Sequence, residues 1–142
     1  MAYASTNATN RDAIMQAVDD EIANRSSKVT YYISAAQAAS DAGLHEAAES
    51  WLKSVTALQP ASDFAWRALS KEQASLGKDN EAWNSLDEGA RCTSSLDDYW
   101  MRAWTMHQKS SIQVRLNINN ARLALQPGNS GLLTDAVGIA LE

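Results

Sequence analysis

The chain has 142 residues, 45% of them hydrophobic and 20% charged, with a net charge of −5 and a pI near 5.0. That length suits one domain, and the acidic balance argues against a surface for nucleic-acid backbone. Cys92 is the single cysteine, which excludes an intrachain disulfide framework and a cysteine-based zinc site. Six glycines and two prolines stand against 25 alanines, a balance that favours helix over a turn-rich sandwich or barrel. No apolar run is long enough for a membrane span or a secretory signal, so the expected location is cytoplasmic.

Residues 1–10 are small and polar and read as a disordered arm. Asn10 suits a helix N-cap, and Asp12 is placed to favour the helix dipole. Ile14, Val18 and Ile22 then recur every four residues, with Ala17 beside them. That stripe predicts an amphipathic helix over 11–27, ending at Ser26-Ser27.

From residue 29 onward the chain repeats. Tyr32, Trp66 and Trp100 are spaced by 34 residues, as are Ala35, Leu69 and Ala103. Gly43 and Gly77, Ala48 and Ala82, and Leu52 and Leu86 share that period. Apolar positions inside each unit have helical spacing, broken once by the glycine, so each unit is a helix, a tight turn and a second helix. The units are 29–62, 63–96 and 97–130, within a repeat region of 28–130. The third departs: Ser111 replaces the glycine, Leu116 takes the small crossing position, and Pro127 comes one residue early, as a deletion near the turn would produce. After a loop at Gly128-Asn129-Ser130-Gly131, residues 131–142 predict a lone helix, either a cap or the start of a fourth unit.

These residues resemble the tetratricopeptide repeat family, whose pattern places a large residue, a small residue, a turn glycine, a small crossing residue and a closing proline at the positions of Tyr32, Ala36, Gly43, Ala48 and Pro60. The resemblance implies an all-α, right-handed α-solenoid of antiparallel helix pairs. It also implies a concave groove, lined by the first helix of each unit, that receives a partner peptide. The groove positions would be Thr30, Ile33, Ser34, Gln37 and Asp41, then Phe64, Arg67, Ala68, Lys71 and Ser75, then Asp98, Met101, Arg102, Thr105 and Lys109. Arg67, Lys71, Arg102 and Lys109 would make that surface basic and, with Phe64 and Met101, suit an acidic, partly apolar peptide. A subclass of the family clamps the carboxylate tail of heat-shock chaperones. Of its clamp positions, here Ile33, Gln37, Ala68, Asp98 and Arg102, only Arg102 matches, so that ligand is not expected.

No catalytic constellation is visible. His45 falls in the turn of the first unit and His107 on the first helix of the third, without metal-ligand spacing. Glu46, Glu49, Glu81 and Asp87 read as solvent-facing charges, and Cys92 as a small packing residue. The chain is therefore expected to be a non-catalytic interaction module, an adaptor or scaffold, without cofactor, metal, nucleic acid or membrane insertion. Two alternatives stand beside it. One is a small cytoplasmic chaperone resembling those of type III secretion. The other is a scaffold that self-assembles through the solenoid ends. Trp51, Trp83 and Trp104 lie outside the repeat's usual large position. Trp104 occupies a small-residue site, which means packing between units or an outward-facing interface ring.

Overall fold

The computed structural model describes the backbone of residues 2–142 and the side chains of residues 12–17, 19, 20 and 23–142. It is all-α: α1 Ala2–Asp41, α2 His45–Leu58, α3 Asp63–Ser75, α4 Asp79–Arg91, α5 Leu96–Met106, α6 Ile112–Leu125 and α7 Ser130–Ala140, with no strand among the described residues. None of these helices is long and apolar enough to cross a membrane.

Residues 2–10 of the expected arm, the helix over 11–27 and the first helix of the 29–62 unit are one continuous helix, α1. No glycine or proline precedes Gly43, so nothing in the backbone chemistry stops the helix at Ser26-Ser27. Thr30 Oγ1 there donates to the Ser26 carbonyl at 3.1 Å, a bond within the helical ladder's reach. The side chains of Asn10, Val18 and Ile22, which figured in the predicted cap and stripe, lie outside the described residues.

The two period-related glycines end their helices in the same way. Gly43 and Gly77 have φ of +78° and +77°, a conformation that other L-residues adopt only at a cost. Gly43 N–H donates to Ser40 O at 3.0 Å and Leu44 N–H to Ala39 O at 2.8 Å. Gly77 N–H donates to Ala74 O at 3.0 Å and Lys78 N–H to Gln73 O at 2.9 Å. Both turns are thus Schellman caps that satisfy otherwise orphaned carbonyls and send the chain directly into the next helix. The third unit lacks the glycine, and α5 stops early. His107 is its C-cap, and residues 107–111 form a longer connection before Ser111 Oγ caps α6 by accepting from Val114 N–H at 3.4 Å. Val114 and Ile118 occupy the core here, while Leu116, expected at the crossing, is only half-buried.

Each helix packs on its successor, and α3 also meets α5 as α4 meets α6. The repeated small and apolar positions make these contacts: Ala48, Leu52, Leu69, Ala82, Leu86, Trp100 and Ala103 are all buried. The largest cluster joins α3 to α6 through Ala74, Ala82, Leu86, Tyr99, Trp100, Ala103, Val114 and Ile118. Trp83 stacks on Trp100 with ring centroids 5.3 Å apart, and Trp51 stacks on Tyr32 at 5.2 Å. Trp104 is half-buried against the same cluster, and Arg122 lies over its ring at 5.8 Å. All three extra tryptophans therefore contribute to packing.

Gly89 went unnoticed in the periodicity, yet other helices approach it more closely than a side chain there would allow. A Cβ there would collide with Tyr99 Oη and sit 2.9 Å from Trp66 Cβ. Its absence lets the buried Tyr99 hydroxyl donate to Leu86 O at 3.0 Å. Alanine normally favours a helix by ~1 kcal/mol over glycine. Gly89→Ala is instead expected to destabilise the protein by about 1–3 kcal/mol through overpacking, read as a lower urea midpoint at an unchanged slope.

Candidate partner-binding face

α1, α3 and α5 carry all of the residues singled out for binding except Lys109, but the structure brings only part of that set together. Ile33, Gln37, Phe64 and Ala68 line one cleft of about 40 Å³ between α1 and α3, with Ala36, Ser40, Leu52 and Glu72 completing its wall. Ser62 caps α3 by accepting from Ala65 N–H at 3.3 Å, which starts that helix just before Phe64. Phe64 remains 45% exposed at the cleft, and Met101, one unit further along, is 51% exposed on α5. These are sizeable apolar side chains left facing solvent on first helices.

The expected basic surface is not assembled. Arg67 is buried at 7% exposure, with its guanidinium 5.8 Å from the Tyr99 ring centroid and 3.9 Å from Asp63. Its Nε finds no hydrogen-bond partner. Arg102 is exposed but held by Asp98 at 3.0 Å on its own helix. Lys109 falls beyond the end of α5, in the connection to α6. Thr105 is exposed and donates to Met101 O at 3.1 Å, and Lys71 is exposed on α3. Arg67 and Arg102 each have an aspartate four residues earlier on the same helix.

One carboxylate read as solvent-facing is interior, and a second that the sequence did not single out joins it. Glu49 is buried, accepting from Lys78 Nζ at 2.8 Å with Lys53 at 3.7 Å. Burial alone would push its carboxyl up, but the Lys78 hydrogen bond and the nearby positive charges outweigh this and hold it below the usual range. Glu72 is buried, and His45, half-exposed at the start of α2, lies with Nδ1 2.5 Å from Glu72 Oε2. Glu46 and Glu81 are exposed as expected, and Asp87 is half-buried. Cys92, expected to pack, is instead exposed at the C-cap of α4, its thiol 3.2 Å from Pro60 O. No group of three or more His, Cys, Asp or Glu residues is arranged to hold a metal among the described residues.

His107 is fully buried, with Nδ1 2.8 Å from Ser110 Oγ and Nε2 unpartnered. Burial, aided by the charge of Lys71, pushes its imidazole down to about 4. It is therefore neutral at pH 7 and belongs to the fold's interior.

No protein-family model matches the chain, and no curated protein matches it.

Two outcomes follow from this geometry. Arg67→Glu places a carboxylate in a buried site beside Asp63, so it is expected to unfold the protein or cost at least about 2 kcal/mol in chemical denaturation. As pH falls, the unfolded chain takes up a proton at an ordinary histidine near 6.5 before native His107 can, so stability present above that pH is lost down to about 4 and then levels off. The loss amounts to at most ~3 kcal/mol. His107→Asn keeps a polar group near Ser110 and is expected to flatten the pH dependence of the urea midpoint between about 4 and 6.5.

Proposed function

We propose that the chain is a tetratricopeptide-like, right-handed helical solenoid. It works as a non-catalytic interaction module in the cytoplasm, seating a segment of a partner protein on the face formed by α1, α3 and α5. The observation that carries this reading is the cleft between α1 and α3, where Ile33, Gln37 and Phe64, placed on one groove by the repeat pattern, come together around an apolar wall. Met101, on α5, is a further exposed apolar side chain of the proposed face. The matching Schellman turns at Gly43 and Gly77 support a repeat origin for the helix pairs. A small dedicated chaperone would use the same face for its client.

Since Arg67 and Arg102 are engaged within the fold, the apolar residues are the expected anchors. Phe64→Ser with Met101→Ser is expected to leave helicity and the thermal midpoint close to wild type, because both side chains are about half exposed. The same pair is expected to abolish capture of a partner from lysate of the source cells. Unchanged capture would place the interaction elsewhere.

Self-assembly through the ends is a second reading, favoured by α7. Leu133, Val137 and Leu141 recur every four residues and are all exposed, and Ile14 and Met15 are exposed near the other end.

A further inference from the structure

The α1–α3 cleft has a chemical polarity of its own. Its lining combines apolar Ile33, Phe64 and Ala68 with polar Gln37, Ser40 and Glu72, and Ile33 and Phe64 come first along α1 and α3 while Ser40 and Glu72 come last. Glu72 is only 4% exposed, yet it lines the cleft. An ionised carboxylate accepts hydrogen bonds and donates none, so His45 Nδ1–H donates to Glu72 Oε2 across 2.5 Å. That bond leaves Oε1 with no hydrogen bond within the described residues. Gln37 Nε2 donates to Asp41 Oδ1 at 2.9 Å, which orients the amide and leaves its carbonyl oxygen as an acceptor. No lysine or arginine lines this cleft. Lys71 acts on His107, toward α5, and Arg67 is turned to Asp63 and Tyr99.

A narrow site with an apolar wall, a buried carboxylate with an open oxygen and two neutral polar groups is complementary to a primary ammonium on an aliphatic stem. The ammonium is compact and carries three donors, whereas a guanidinium is planar, wider and fork-shaped. We propose that the cleft seats a lysine side chain of the partner segment. Its head meets Glu72, Gln37 and Ser40, and its stem packs along Ile33, Phe64 and Ala68. The proposal rests on the interaction-module reading and adds the partner's chemistry, which is cationic at this point and not acidic. It draws on charge complementarity, and on the tendency of long cationic side chains to bury their stems while the head finds polar partners.

The test uses the full chain as bait for a phage-displayed random dodecapeptide library, followed by fluorescence anisotropy with the enriched peptides. Enriched peptides are expected to share a lysine flanked by apolar residues. Replacing that lysine by norleucine is expected to weaken binding to the wild-type protein by roughly tenfold or more, as loss of a charge-assisted hydrogen bond does. Glu72→Gln is expected to weaken the lysine peptide similarly and to bind both peptides alike, so that the two changes are coupled and not additive. Should Glu72→Gln fail to fold by circular dichroism, the norleucine substitution on the wild-type protein still decides. Enriched peptides that lack a shared lysine, or that tolerate norleucine, overturn the lysine site while leaving the module reading intact. An absence of enriched peptides, or binding indifferent to Phe64→Ser, overturns both.

Discussion

Two glycines 34 residues apart, each held at a φ near +78°, decide where this chain reverses. Each converts the end of a long or medium helix into an immediate turn, and each satisfies two carbonyls in doing so. The short turns keep consecutive helices side by side, which brings Ala48 and Ala82 to fully buried positions. Small residues there allow bulky neighbours to fill the space between helices: Trp83 and Trp100 in one layer, Tyr32 and Trp51 in another. Where the glycine is missing, in the third unit, the connection lengthens to residues 107–111, and a buried histidine and Ser110 take over the local hydrogen bonding.

The same packing explains why charges end up inside. A helix rotated to bury its alanines and leucines carries along whichever residues lie beside them. Arg67 lies against Tyr99, and Glu49 and Glu72 find partners beyond their own helices in Lys78, at the N-cap of α4, and His45. Ion pairs of this kind register one helix against another more than they add stability, because desolvation offsets much of the Coulomb attraction. Glu72 is the one on which the proposed lysine site depends, since it is buried yet lines a cleft beside Phe64, Ile33 and Gln37.

Much of the helix layout was legible from period and punctuation. The 34-residue register, the two glycine turns and the proline-closed second helices come from residues whose backbone preferences are strong. The final helix was expected over 131–142 but starts at Ser130, because Asn129 caps it and takes Ser130 and Gly131 out of the expected loop. The break expected at Ser26-Ser27 was not real, because serine is a weak stop and no glycine or proline accompanies it. Gly89 was not legible, since its role depends on Tyr99 and Trp66 arriving from other helices. Lys78 and Glu49 are 29 residues apart, and His45 and Glu72 are 27 apart, so neither pair has a local signature. Arg67 and Arg102 did carry one: an aspartate four residues earlier marks both as paired on their own helices. Of the candidate face, the family resemblance implied Ile33, Gln37 and Phe64 on one groove, and it did not single out Glu72, because a repeat pattern cannot distinguish a solvated carboxylate from one on a cleft wall.

Site-specific photocrosslinking bears most directly on the binding face. A benzophenone amino acid in place of exposed Phe64 on α3 can be compared with one in place of exposed Ala57 on α2, in cells that express the protein natively. Binding on the α1–α3–α5 face predicts a discrete adduct from position 64 that is missing from position 57. Adducts of equal strength from both positions, or an adduct from position 57 alone, would contradict it.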